Sequence, residues 1–385
     1  MRATIIALAA LPLVACGGSG GGGVASIGSS AGSTGGTPTP TATPTPTATP
    51  APTATPTPTA PTSSQANLFD VKTATTFDAV GAMHSMSIDK DGRELYSGNA
   101  STVATPSGTI SYDPRDGIFV MAVSDSKADV TRNITFQDPA HRTTTDATRV
   151  EKQVPLLAGF NYLNVADGDN VTLTFFYQRP NSEGAFVSLA GFERNEKALD
   201  DSTLSQQGVL VFGARSTALQ TPTKGTAHFD GQFLATMVVQ QGGSPSVQQW
   251  MNGTSGVDVD FGKRSLALSL AGTVGPGFFK NLPIADAALS IPSGSTFTAN
   301  GSASWTAAST AFAGTFASAG FSNNGAAVPI DFTAVSAGTT SAGASSIDGT
   351  FYGPDAKNIG GNFRIVGGIP NQRVDIMGGF VGGKK

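Results

Sequence analysis

The second half of the chain alternates between apolar and polar positions. Val257, Val259 and Phe261 interleave with Asp258, Asp260 and Gly262, and Leu266, Leu268 and Leu270 interleave with Ser265, Ala267 and Ser269. Phe312-Ala313-Gly314-Thr315-Phe316 and Ile330-Asp331-Phe332 keep the same period. A period of two sends successive side chains to opposite faces of a strand, so one face is apolar and the other, carrying Asp258 and Asp260, is solvated. Gly and Ser/Thr/Asn recur between these runs, as up-and-down strands joined by short loops require. No segment of comparable length carries a helical stripe with caps.

The first half predicts hairpins. Thr109-Ile110-Ser111-Tyr112 alternates, Asp113-Pro114-Arg115-Asp116-Gly117 turns, and Ile118 to Val123 returns. Asn161 to Val165 and Val171 to Tyr177 make a second pair around Asp167-Gly168-Asp169-Asn170, and Ile134 to Gln137 is a further strand ending at Asp138-Pro139. Phe77 to Ile88 and Leu95 to Thr105 are mixed in pattern and predict no clear element.

Near the C-terminus, Gly349 to Tyr352 and Gly361 to Val366 are strand signals on either side of Gly353-Pro354-Asp355. Pro354 presets φ and Asp355 can bond its own backbone, so this tripeptide opens a turn. Gly360-Gly361 is expected to give backbone freedom where the chain re-enters a sheet. Val374 to Phe380 completes a final hairpin. Closing such a sheet into a barrel removes exposed edges. The outward faces lack the aromatic girdles and ten-residue apolar alternation of a membrane-spanning barrel.

Composition separates a front from this folded remainder. No charged residue occurs between Gly17 and Ser64 in a chain of 385 residues. About 320 residues are left for one large or two ordinary domains. The net charge of −4, with no basic run, argues against a nucleic-acid partner, which needs clustered Lys/Arg. Met1-Arg2 followed by the apolar run Ile5 to Val14 reads as a signal peptide, too short to span a bilayer. It ends Leu13-Val14-Ala15-Cys16. That spacing resembles the bacterial lipobox, which implies diacylglycerol on the thiol of Cys16, cleavage before it and acylation of the new amino terminus. The plain alternative is a secretory signal with an incidental Cys. Several acyl chains anchor stably where one alone is marginal. Gly17 in place of Asp favours the outer membrane over inner-membrane retention. Gly17 to Gly36 is a flexible tether, and Thr37 to Thr62 is a Pro-Thr-Ala repeat with extended polyproline character. At ~3.1 Å per residue the Pro-Thr part spans on the order of 80 Å.

Candidate chemistry is thin. A single Cys excludes an intramolecular disulfide and a Cys-based zinc site. Asp113 with Asp116, and Asp167 with Asp169, are explained by turn chemistry before metal binding; the second pair lacks the later ligands of a calcium loop. Asp258 with Asp260 reads as a solvated sheet face rather than a catalytic pair. Gly28-Ser29-Ser30-Ala31-Gly32 matches G-x-S-x-G but lies in low-complexity sequence, not on a strand-turn-helix. His84, His141 and His228 stand in no ligand spacing and read as surface or turn residues. His84, within Met83-His84-Ser85-Met86, offers soft ligands to copper or an axial ligand to haem; a half-buried strand is the plainer reading. Trp250 follows Gly242-Gly243-Ser244-Pro245 in an expected loop, where it either anchors a partner or packs into the core. Trp305 is the other tryptophan. There is no P-loop, dinucleotide fingerprint, H-E-x-x-H or triad.

F-Y-G-P-x-A-x-x-x-G-G-x-F, carried by Phe351 to Phe363, with a Gly-rich strand and the terminal Gly383-Lys384-Lys385, resembles the closing motif of the transferrin-binding-protein-B-like barrel domain of bacterial surface lipoproteins. Val209 to Gly213, then Thr221 to Gly231, resembles the opening of that barrel, with His228-Phe229 where the family has a Thr-Tyr pair. The resemblance implies an all-β chain in which a C-terminal antiparallel barrel of about eight strands follows a β-rich handle-like domain. The expected organisation is a signal peptide over 1–15, lipidated Cys16 and disordered linker over 16–64, a handle-like domain over 65–206 and the barrel over 207–385. It further implies a non-catalytic, cofactor-free protein held by membrane lipid through Cys16 and displayed at the cell surface. Such a protein captures a protein or an iron/haem-type solute, and an outer-membrane translocator that recognises the barrel delivers it. The alternative is a structural or adhesive surface lipoprotein without a small-molecule ligand.

Overall fold

Among the described residues, alternation of buried and exposed positions resolves into nineteen strands in a computed structural model. The structure describes residues 68, 73–113, 118–125, 130–137, 153–166, 170–179, 184–242, 244–284, 289–333 and 343–385. Cys16 and the whole expected signal peptide and linker lie outside these residues, as do Asp116, His141, Asp167 and Asp169. Among the described residues no α-helix occurs.

The strands in the first half are β1 (Thr75–Ile88), β2 (Glu94–Ala100), β3 (Gly108–Asp113), β4 (Ile118–Asp125), β5 (Val130–Gln137), β6 (Phe160–Ala166), β7 (Val171–Gln178), β8 (Val187–Lys197) and β9 (Thr203–Gly213). They form one antiparallel sheet in the order β5-β4-β3-β1-β9-β8-β7-β6, with β2 added beside β1. This is a curled half-barrel. The hairpins expected at β3–β4 and β6–β7 are both present, with Ile110 opposite Met121 and Tyr162 opposite Phe176. Phe77 to Ile88 predicts nothing clear because β1 is buried on both faces from Ala79 to Ala82 and alternates only beyond it. Phe77 and Ala79 enter one core, while Val80, Ala82, His84 and Met86 are buried on the other side.

The second half supplies β10 (Thr226–Gln240), β11 (Val247–Asp260), β12 (Ser265–Phe279), β13 (Leu282–Ile284), β14 (Thr296–Ser304), β15 (Ala311–Asn323), β16 (Ala326–Pro329), β17 (Ala344–Tyr352), β18 (Asn358–Ile369) and β19 (Gln372–Lys384). Pairing runs β11-β10-β19-β18-β17-β15-β14-β12, and β12 returns to β11, so eight strands close into an antiparallel barrel. The alternating leucines and valines point inward as the pattern requires. Phe229, Phe233, Phe297, Phe312, Phe351, Phe363 and Phe380 fill the lumen in tilted and edge-on contacts, such as Phe316 against Phe363 at 5.7 Å. The interior is therefore a packed core and not a channel.

The expected junction at 206/207 falls within β9, which pairs with β1 and β8, whereas the closed barrel begins at Thr226. Gly360 and Gly361, expected at the turn, lie inside β18. A Cβ on Gly361 would strike the backbone of Asp348 and Gly349, so its role is close strand approach rather than a bend. The turn itself is the short 3-10 segment Pro354–Ala356, entered through Gly353 at φ 73. The strand expected over Ile330-Asp331-Phe332 does not form: β16 ends at Pro329, and Asp331 makes an isolated bridge to Gly368.

Half-barrel and barrel meet face to face. Val187, Leu189, Val209 and Val211 of the half-barrel share a buried cluster with Leu234, Trp250, Tyr352 and Val381 on the outer wall of the barrel. Strands in this wall are covered on both sides, so they read as continuous apolar or Gly-rich runs, like Leu234 to Val239, instead of alternating.

Candidate binding surface

The seam between the sheets carries a polar network. Even-numbered residues of β1 face the barrel, which brings His84 to Thr236 on β10 and Gln248 on β11. Thr236 Oγ1 lies 2.9 Å from His84 Nδ1. Gln248 Nε2 donates to His84 Nε2 at 3.4 Å, so Nδ1 carries the proton and donates to Thr236. Burial pulls the His84 pKa down to about 4, and the nearby Asp375 carboxylate opposes this. Beside it Glu193, fully buried, accepts from Asn195 Nδ2 at 2.9 Å, Gln207 Nε2 at 3.2 Å and Trp250 Nε1 at 3.3 Å. On β2, Tyr96 reaches Asp375 on β19, and Asn362 Nδ2 on β18 donates to the carbonyls of Gly81 and Ser101 at 2.7 and 2.8 Å. Most of these groups pair with one another at the seam, while Asn195 Oδ1 and Gln207 Oε1 stay buried without a partner among the described residues. Their chemistry is positional: they fix how the two sheets dock.

The seam opens at one end into a cavity of about 270 Å³. Met86 and Ile88 of β1, Asn195 and Lys197 of β8, Thr203 and Ser205 of β9, and Lys280 and Asn281 of the β12–β13 turn line it. The turns around this opening present apolar side chains to water. Leu199, in the β8–β9 turn, is 97% exposed, and Leu282, at the start of β13, is 68% exposed. Both turns are held rigid. Ala198 N donates to Ser202 O at 2.9 Å, Asp200 Oδ1 accepts from the Ser202 backbone and hydroxyl, and Asp201 takes φ 64. Lys280 and Asn281 take φ 48 and 63, the two positive values a two-residue hairpin needs to match strand twist. Gln153 Nε2 donates to Asn281 Oδ1 at 3.1 Å, tying in the segment that carries exposed Leu156. Large apolar side chains on rigid turns at the rim of a concavity suit protein recognition, because little conformational entropy is lost when they are covered.

The residues singled out from the sequence fall elsewhere. His84 is buried in a strand rather than on the surface or half-buried, because its face of β1 packs against the barrel wall at Thr236 and Gln248. Trp250 is not in a loop: it lies in β11 and is buried, its ring 5.3 Å from Phe176 across the seam. Trp305 packs edge-on against Phe261 and Phe351 in the barrel. His228 does lie on the surface, between Asp258 at 2.7 Å and Asp230 at 2.9 Å. The hydrogen bond to Asp258 leads in raising its pKa above the usual histidine range, with Asp230 adding to it. Asp260 instead pairs with Lys263 at 3.0 Å, so the two carboxylates belong to a salt-bridged outer face. Among the described residues no group of three or more His, Cys, Asp or Glu is arranged to hold a metal ion. Sequence reasoning missed Leu199 and Leu282. The available signal was an apolar residue inside the charged turn Lys197-Ala198-Leu199-Asp200-Asp201.

A closed eight-stranded antiparallel barrel docked on a curled sheet is the class of fold the strands define. Residues 221–385 match the family described as the C-lobe and N-lobe beta barrels of Tf-binding protein B. This part of the chain is a transferrin-binding-protein-B-like barrel domain. No curated protein matches the sequence. Among solved structures the chain is similar to a transferrin binding protein B double mutant from Haemophilus parasuis Hp5, with 13% identity, 81% of this chain and 76% of that chain covered and a TM-score of 0.32. It is also similar to the isotype 1 transferrin binding protein B from serogroup B Neisseria meningitidis, with 11% identity, 82% and 77% covered and a TM-score of 0.28. A third similar structure is described as a surface lipoprotein, with 13% identity, 80% and 99% covered and a TM-score of 0.29.

Proposed function

We propose that the chain is a non-catalytic, lipid-anchored outer-membrane protein that captures a protein ligand at the cell surface through the turn end of its two sheets. In this reading residues 1–15 are cleaved, Cys16 carries the acyl chains, and residues 16–64 hold a handle-like domain and barrel away from the membrane. A translocator that recognises the barrel delivers it to the outer face. The observation that carries the reading is the pair of rigid turns presenting Leu199 and Leu282 beside the open cavity. The barrel family supports it, since that family comprises the beta barrels of Tf-binding protein B. A haem- or metal-source reading gains nothing from His84, because both ring nitrogens are already engaged.

The test is capture from host serum by the full chain and by a Leu199→Asp/Leu282→Asp variant. A serum protein retained by the former and lost by the latter, at equal thermal stability, supports the reading. Retention unaffected by the variant, or self-association in place of a ligand, sinks it; the second outcome belongs to the structural or adhesive alternative. Cys16→Ser is expected to move the protein from the membrane to the soluble fraction. Protease shaving of intact cells is expected to remove residues 65–385.

A further inference from the structure

The half-barrel has a second face, turned away from the barrel, and its upper part is polar. Four strands place Ser97, Ser85, Gln206 and Arg194 side by side in one row, by the pairings Ser97 with Ser85, Ser85 with Gln206, and Gln206 with Arg194. In the next row Asn99 stands opposite Met83. A cavity of about 310 Å³ lies on this face, lined by Met83, Ser85, Ser97, Asn99, Thr105 and Gln206. That volume falls at the lower end of the roughly 300–1,000 Å³ of small-molecule sites.

The lining has unused hydrogen-bonding capacity. Among the described residues the hydroxyls of Ser85 and Ser97 and the amide of Asn99 have no partner. Gln206 is only 6% exposed; its Oε1 accepts from Arg194 Nη1 at 3.5 Å, while its Nε2 group has no partner among the described residues. An amide donor without a protein partner at the wall of a cavity, beside a row of hydroxyls, is complementary to a ligand dense in hydroxyl groups. His84 contributes to the wall, but its ring is turned to the seam, where Thr236 and Gln248 hold it. Arg194, next to Gln206 in the row, is already paired with Glu196 at 2.8 Å, and the remaining lining is uncharged, which disfavours a phosphate or carboxylate ligand. Met83 and Pro106 supply an apolar patch for the C–H face of a ring.

We propose that this concave face of the half-barrel binds a neutral saccharide unit, with Gln206, Ser85, Ser97 and Asn99 reading its hydroxyls. The site goes beyond the capture reading and lies on the opposite face of the sheet from the Leu199 cavity, so either can fail alone. Saturation-transfer NMR of the full chain with neutral mono- and disaccharides, and a glycan array carrying neutral and acidic glycans, test it. Neutral sugars bound free, or only as termini of longer glycans on the array, support the proposal and distinguish the two sources. Asn99→Ala, at an exposed position, and Ser85→Val are expected to weaken binding by about tenfold each, the scale of one lost hydrogen bond. Leu199→Asp is expected to leave it unchanged. No saccharide bound at millimolar concentration, preference for acidic glycans, binding of extended peptides instead, or binding indifferent to both Asn99→Ala and Ser85→Val would each overturn it.

Discussion

Tyr96 on β2 donates a 2.7 Å hydrogen bond to Oδ2 of Asp375 on β19, across 279 residues of chain. Arg364 on β18 grips the same carboxylate, with Nε 3.0 Å from Oδ1 and Nη2 on Oδ2. One buried carboxylate thus joins the barrel wall to the half-barrel. Burial, and then the Asp375 charge, push the Tyr96 phenol well above its ordinary value.

Tyr96→Phe is expected to cost about 1.5–3 kcal/mol, the range for a hydrogen bond to a charged group. Asp375→Ala should cost more, because it also leaves Arg364 half-buried without its counter-charge. Urea unfolding of the two single variants and the double variant measures the coupling. Since the folded-state phenol titrates above its unfolded value near 10, its contribution is complete below about pH 10 and is lost as pH rises through the folded value. The Tyr96→Phe protein should therefore lose less stability between pH 10 and 12 than the parent.

His84 sets an acid limit. Its folded pKa of about 4 lies below the ordinary 6.5 because burial disfavours the charged ring, although Asp375 pulls the other way and Arg364 adds to the lowering. The unfolded chain then binds the extra proton between these values, so stability falls as pH drops from 6.5 toward 4. The full loss is about 3 kcal/mol, at 1.36 kcal/mol per pH unit. Thermal melts of the His84→Gln variant should show a flatter profile across that window. An equally steep profile would place the acid sensitivity elsewhere.

Gly231 on β10 faces β19 so closely that an added Cβ would overlap the Val381 carbonyl and stand 2.7 Å from Gly382 Cα. Backbone cannot yield as a flexible side chain does. Gly231→Ala is expected to destabilise by about 1–3 kcal/mol or more, as overpacking does. Differential scanning calorimetry should show a drop of about 2–4 °C per kcal/mol. Gly225→Ala, where no atom lies within 4 Å but φ is 87, separates backbone strain from crowding: it should cost less.

Much of the barrel was legible because one face of β11, β12 and β15 meets water. Leu266, Leu268 and Leu270 show their period only where Ser265, Ala267 and Ser269 are free to be small or polar. β1 from Ala79 to Ala82 and most of β18 lack that signature because both faces are covered, so the first predicts no clear element and Gly360-Gly361 reads as the point of re-entry into the sheet rather than as its interior. Leu199 could have been suspected from its charged neighbours, but nothing local says that its turn stands beside Lys280 and Asn281.

Local order alone determined the strand content, the Gly-Pro-Asp turn, the charge-free front and the placement of Cys16 where hydrophobicity stops, since each depends on near neighbours in the chain. Which sheet β9 joins, the burial of His84 and Trp250, and the meeting of Tyr96 with Asp375 were decided only when distant strands packed. Desolvation and cross-sheet contact are properties of that packing, and residues far apart in the chain acquire them together.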